Sequence, residues 1–285
     1  MNSTQTNLRK VFLFSLFLFC SFTFVQAEEG KSKAYTDLTK ALKNPLDVRV
    51  LDLSEQKLKT LPKEIGQLQN LQWLNLVTNQ LTTLPEEIGQ LQNFQTLVLS
   101  KNRLTTLPKE IGQLKNLREL YLNTNQFTAF PKEIGQLKNL QQLNLYANQL
   151  KTLPNEIGQL KNLRELHLSY NQLKTVPEET GQLKNLQMLS LNANQLTTLP
   201  NEIRQLKNLR ELHLSYNQLK TLSAEIGQLK NLKKLSLRDN QLTTLPKEIE
   251  QLQNLQELNL NNNQLSSEEK ERIRKLLPKC QIYFE

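Results

Sequence analysis

The sequence predicts an α/β solenoid. It would be a horseshoe with a parallel β-sheet on the concave face, short helical or 3-10 arms on the convex face, a helical N-terminal cap and a helix-plus-strand C-terminal cap. Three observations predict it. A 23-residue unit recurs in strict register, with starts at Val48, Leu71, Phe94, Leu117, Leu140, Leu163, Leu186, Leu209, Leu232 and Leu255. The first half of each unit alternates apolar and polar residues, the period-2 pattern of a strand with one buried side. The second half, as in LPEEIGQL at 84–91, turns on a proline and returns to an apolar face.

The first element is a leader. Arg9 and Lys10 precede the apolar run VFLFSLFLFCSFTFV at 11–25, and Val25-Gln26-Ala27 ends in a small-residue cleavage site, so residues 1–27 read as a secretory signal peptide. The run is too short and too weakly flanked for a transmembrane helix, which needs about 20 apolar residues. Cys20 raises lipidation as an alternative, but Phe19 is bulky and the apolar run continues past the cysteine. Removing 1–27 lowers the net charge from +9 to about +7 and leaves Cys280 as the single cysteine. No disulfide framework is then available, and the core must supply the stability.

Residues 28–47 are the N-terminal cap: AYTDLTKALKN places Leu38, Ala41 and Leu42 at helical spacing to cover the first unit. The ten units span 48–265. Their shared template, L-x-x-L-x-L-x-x-N-x-L, is the leucine-rich repeat signature. The fuller unit LxxLxLxxNQLTTLPxEIGQLKN resembles the 23-residue leucine-rich repeat proteins of pathogenic spirochaetes such as Leptospira, across nearly the whole chain after the leader. More distantly it is similar to the eukaryotic leucine-rich repeats that bind small GTPases. The resemblance implies a protein-binding horseshoe rather than an enzyme.

Within a unit, leucines such as Leu166 and Leu168 point inward and the intervening residues point out onto the concave face. The ninth-position asparagine, from Asn79 to Asn263, sits where the chain turns inward, and its amide is suited to backbone groups that would otherwise be buried unpaired. Only the first unit departs, with Gln56. In the arms, Pro62 and its equivalents suit the first position of a helical turn, and Glu64 and its equivalents complement the turn's N-terminus. Those glutamates belong to separate units with no partner acid, so neither acid catalysis nor calcium is expected of them. Ser223, Arg204, Glu250 and Thr180 break the arm pattern and predict looser arms. Residues 266–285 close the solenoid: Ser266 and Glu269 form a capping box, Pro278 ends the helix, and CQIYF at 280–284 alternates like a last strand.

A shared framework leaves function to the residues that vary on the exposed face. The outward columns offer Trp73, Val98, Tyr121, Tyr146, His167, Met188, His213 and Arg238, with Tyr170 and Tyr216 just beyond the strands. Large apolar and aromatic groups at an outward phase predict a concave protein-binding surface. His167 and His213 occupy identical copies of LKNLRELHLSYNQLKT, two units apart with Ser190 between. Their rings would lie about 9–10 Å apart, too far to share an ion, and no metal, cofactor or catalytic site is expected. Duplication of a two-unit block accounts for the pair and yields two equivalent patches, His167 with Tyr170 and His213 with Tyr216.

Charge offers a second function class. Lys115, Lys138, Lys161, Lys184, Lys207 and Lys230 recur at one position, a strip for an anionic glycan or other polyanion. Arg118, Arg164 and Arg210 follow nearby, each beside a glutamate expected to neutralise it in part. Nucleic acid is disfavoured, because export removes the opportunity and no aromatics interleave with the lysines. The leading expectation is an exported, not integral-membrane, protein that holds a protein ligand on its concave face, with host-surface or matrix adhesion implied by the resemblance. An intracellular GTPase-type scaffold is the third class and requires that residues 1–27 are retained.

Overall fold

The computed structural model describes residues 34–285, so the expected leader lies outside the described residues. Twelve strands there form one open parallel sheet in chain order. A first short strand, β1 (Ala34–Tyr35), pairs with β2 (Val50–Asp52). The repeats then contribute β3 (Trp73–Asn75), β4 (Thr96–Val98), β5 (Glu119–Tyr121), β6 (Gln142–Asn144), β7 (Glu165–His167), β8 (Met188–Ser190), β9 (Glu211–His213), β10 (Lys234–Ser236) and β11 (Glu257–Asn259). The last strand, β12 (Gln281–Tyr283), pairs in parallel with β11.

Each repeat strand is three residues long because only its middle leucine needs burial there. Leu74, Leu97, Leu120, Leu143 and Leu166 are fully buried, and every unit stacks with its equivalent position in register. A repeat cannot bury this face alone, and stacking makes the core continuous.

The chain leaves each strand through a left-handed residue. From Glu55 to Asn262 the position before the turn asparagine has φ between 52° and 59°, and none of these residues is glycine. The conformation is held by a bond to the next unit, as in Tyr170 N to Asn192 O at 2.8 Å. The asparagine that follows ties the backbone of two adjacent units. Asn171 Nδ2 donates to Leu145 O at 2.9 Å and Leu168 O at 3.0 Å, while its Oδ1 accepts from Leu150 N at 2.9 Å. Gln56, the exception, donates instead to Thr36 O in the N-terminal cap.

The convex arms are five-residue 3-10 turns, such as Lys63–Gln67 and Glu178–Gln182. The prolines stand one place earlier than expected. Pro62 is extended at ψ 152°, outside the turn, and offers its carbonyl to Ile65 N. Arms stack closely enough that a Cβ on Gly89 would lie 2.7 Å from Glu110 O. Where arginine replaces this glycine, Arg204 pairs with Glu225 of the next arm at 3.5 Å. Thr180 is buried and its hydroxyl has no partner.

At the N-terminal end α1 (Leu38–Ala41) is capped by Asp37 and buries Ala41. At the other end α2 (Ser267–Leu276) is capped by Ser266, whose Oγ accepts from Glu269 N. The expected capping box is only half made. Glu269 turns away from the Ser266 backbone to accept from Leu245 N and Thr244 Oγ1 and to bind Arg272, so it ties the cap to the last arm. Hydrogen bonding to Arg272 holds its carboxyl down at about 2. Cys280 packs partly buried against the core, and burial pushes its thiol up to about 11. That is the setting of an inert cap residue.

Candidate binding face

The outward column residues do project from the concave face, but the face divides in two. Trp73, Val98 and Tyr121 are buried, at 4%, 0% and 5% exposure, in one apolar cluster with Val50. Ala34 and Val77 pack against it. The expectation that these three stand open to solvent is therefore corrected: large apolar side chains on adjacent, in-register strands pack on one another. The Tyr121 hydroxyl lies 3.2 Å from the Glu119 carboxylate and 3.0 Å from Gln142 Oε1. Burial raises the Glu119 carboxyl above its ordinary value, against the hydrogen bonds from Tyr121 and Thr96.

Beyond β5 the face is open and polar. Tyr146 and Tyr170 stack with ring centroids 5.0 Å apart. Burial first, and the neighbouring Tyr170 second, raise the Tyr146 hydroxyl. Tyr170 and Tyr216 are 46% and 49% exposed, because both occupy the left-handed position that swings a side chain clear of the strand's end. Arg238 lies over the Tyr216 ring at 5.8 Å and donates from Nε to Asp239 at 2.8 Å. Met188 is half-buried on the same sheet.

The histidines do not meet. His167 and His213 both register on Ser190 from opposite sides. Each pairs within its own strand: His167 Nε2 lies 3.2 Å from Glu165 Oε2, and His213 Nε2 lies 3.2 Å from Glu211 Oε2. The serines between them are bonded as well, with Ser169 Oγ and Ser190 Oγ 2.7 Å apart. Among the described residues no three His, Cys, Asp or Glu side chains come together in a way that would hold a metal.

The lysine row is engaged rather than free. Lys138 Nζ donates to Gln159 Oε1 at 2.9 Å, Lys184 to Gln205 Oε1 at 2.9 Å and Lys230 to Gln251 Oε1 at 2.9 Å. Lys115 reaches Gly112 O and Gln136, Lys161 reaches Gln182, and Lys207 reaches Gln228 O. Partial burial, then the like charges of Lys184 and Lys138, lower Lys161. These ammonium groups link each arm to the next.

The glutamates expected to neutralise the arginines in part make no close ion pair with them, and only the longer-range charge of Arg118 acts on Glu119, lowering its carboxyl. Glu119, Glu165 and Glu211 bind Tyr121, His167 and His213, while Arg118, Arg164 and Arg210 remain exposed. The missed signal was in the sequence. Adjacent residues of a strand point to opposite faces, so an Arg-Glu dipeptide entering a strand does not pair internally.

A parallel sheet, an asparagine ladder and stacked 3-10 arms define a leucine-rich repeat solenoid. The model of the family described as "Leucine-rich repeat region" matches residues 28–126, 48–175, 109–221 and 155–280, and the chain belongs to that family. It is similar to a Leptospira interrogans leucine-rich repeat protein, 40% identical over 88% of this chain and 100% of that one, with a TM-score of 0.39. It is also similar to the plant peptide hormone receptor RGFR1, solved in complex with RGF2, at 30% identity and a TM-score of 0.73, over 88% of this chain and 42% of the receptor. The Toll–Spatzle complex of Drosophila shares the fold at 21% identity and a TM-score of 0.73, over 85% of this chain and 38% of that one. No curated protein sequence matches the chain. Leucine-rich repeats are commonly protein-binding modules. Among the described residues no helix is long and apolar enough to cross a membrane.

Proposed function

We propose that this is an exported binding protein that holds a protein partner on the open part of its concave face. The observation that carries this reading is the exposure of Tyr170 and Tyr216, beside Tyr146 and Arg238, on a sheet whose inward residues are otherwise fully buried. Tyrosine and arginine supply large contact area with polar tips and dominate binding hot spots. His167, Met188 and His213 line the sheet between them. Trp73, Val98 and Tyr121 belong to the same face and shape its apolar end. Two equivalent patches, His167 with Tyr170 and His213 with Tyr216, suit a repetitive or bivalent partner. The relatives support a protein ligand: a receptor 30% identical was solved with its peptide hormone. A host-surface or matrix partner is the form of this reading that the capture experiment tests.

The test is affinity capture from host-surface extracts with the 28–285 chain. A Tyr146→Ala, Tyr170→Ala, Tyr216→Ala variant serves as the control. Captured partners should be lost in the variant while its circular dichroism is unchanged; equal capture by both chains would sink the reading. Fractionation with N-terminal sequencing checks export: an N-terminus at residue 28 supports it, and a retained leader on a cytoplasmic protein contradicts it.

A further inference from the structure

The margin where the strands begin differs from the tyrosine margin where they end. Along it run two joined grooves of about 520 and 460 Å³, which meet at Gln141 and Asn162. No acidic side chain lines either. Two rows of side chains form the wall. One contains Asn162, Asn185 and Asn208, each donating Nδ2 to a backbone carbonyl one repeat back, at 2.9, 2.9 and 2.8 Å. Their Oδ1 atoms have no hydrogen-bond partner among the described residues. The other row alternates neutral and charged groups: Arg118, Gln141, Arg164, Gln187, Arg210 and then Lys233. The three guanidinium groups are exposed and make no hydrogen bond or close ion pair among the described residues.

Three properties of this margin restrict its ligand. Arginines without a close ion-pair partner, in grooves lined by no acidic side chain, call for an anion, and the guanidinium fork fits a carboxylate with two parallel bonds. Successive arginines lie two repeats apart, which on a parallel sheet is about 9–10 Å. A polyproline II chain rises about 3.1 Å per residue with three residues per turn, so every third side chain falls on one face about 9 Å apart, which matches that interval. Between the charges stand amides, able to accept from and donate to the uncharged polar groups of the intervening residues. A densely sulfated polysaccharide would leave much of its charge opposite Gln141 and Gln187 rather than opposite a cation.

We propose that this groove binds an acidic peptide segment in the polyproline II conformation, with a carboxylate at about every third residue. The site is separate from the tyrosine margin, and its test does not depend on that reading.

The experiment uses the 28–285 chain and a synthetic peptide of about nine residues with Glu at every third position, a length that in the polyproline II conformation matches the span of about five strand spacings from Arg118 to Lys233. A peptide of the same composition with its glutamates contiguous is the control for charge alone, and heparin is the polysaccharide probe. Fluorescence anisotropy should show the spaced peptide bound in preference to the contiguous one. Arg118→Gln, Arg164→Gln, Arg210→Gln together should weaken it at least about tenfold, given charge-assisted bonds of this kind. Lys138→Gln, Lys161→Gln, Lys184→Gln together should change it less than about twofold, because those lysines are already engaged. An unchanged urea transition in the arginine variant confirms that the fold survives. Equal binding of both peptides, arginine-independent binding, or heparin bound more tightly through the same arginines would overturn the proposal.

Discussion

Two asparagine rows bracket the strands from β3 to β11, and they behave oppositely. The row after the strand, Asn79 to Asn240, is buried at 7–8% exposure, and each side chain meets backbone groups in more than one unit. The row before the strand, Asn93 to Asn254, is exposed, and each amide makes one bond, to the carbonyl one unit back. Both rows recur once per unit, so recurrence alone does not separate structure from function. What separates them is how much of the side chain's bonding capacity the fold already uses. The cations divide in the same way: the lysine row is tied to the next arm, and the arginine row is not.

The comparison is broken or sharpened by substitution. Asn171→Ala leaves Leu145 O, Leu168 O and Leu150 N without their partner in a dry interior. It should cost about 3–5 kcal/mol, read as a fall in the urea midpoint. Thr180→Ile should do the reverse, raising stability by about 1–2 kcal/mol, because it replaces a buried, unpartnered hydroxyl with the residue most other arms carry. Asn185→Ala removes one exposed bond and should cost about 0.5 kcal/mol.

A further effect is confined to the C-terminal cap and depends on pH. Glu269 is held at about 2 in the folded chain against an ordinary 4.5. A depressed carboxylate contributes its stability fully above about 4.5 and loses it as pH falls toward 2. Amide protection in α2 should therefore drop across that window while the central repeats hold, and Glu269→Gln should abolish the dependence.

The fold was legible because one period fixes register, phase and turn together: leucines at alternate positions, asparagine at the ninth, proline at the arm. The concave columns were legible as a direction but not as an exposure. Trp73, Val98 and Tyr121 point outward as the alternation requires, yet their burial depends on neighbours 23 residues away along the chain that lie side by side on the sheet. The contacts of the lysine row were not legible for a related reason, since its partners are glutamines 21 residues on, in the next arm. Arg164 and Glu165 were legible and misread, because neighbours in sequence were treated as neighbours in space. In each case the sequence carries the side chain's identity, and the stacking of units decides what it meets.

The most direct test weighs one row against the other in a single urea titration. One chain carries Asn171→Ala, and the other carries Asn139→Ala, Asn162→Ala and Asn185→Ala together. Three exposed bonds at about 0.5 kcal/mol each should cost less than one buried ladder residue, so the triple variant unfolds at the higher urea concentration. A triple variant that unfolds at or below the single one would show that both rows hold the fold alike, and would remove the ground for assigning the strand-start margin to a ligand.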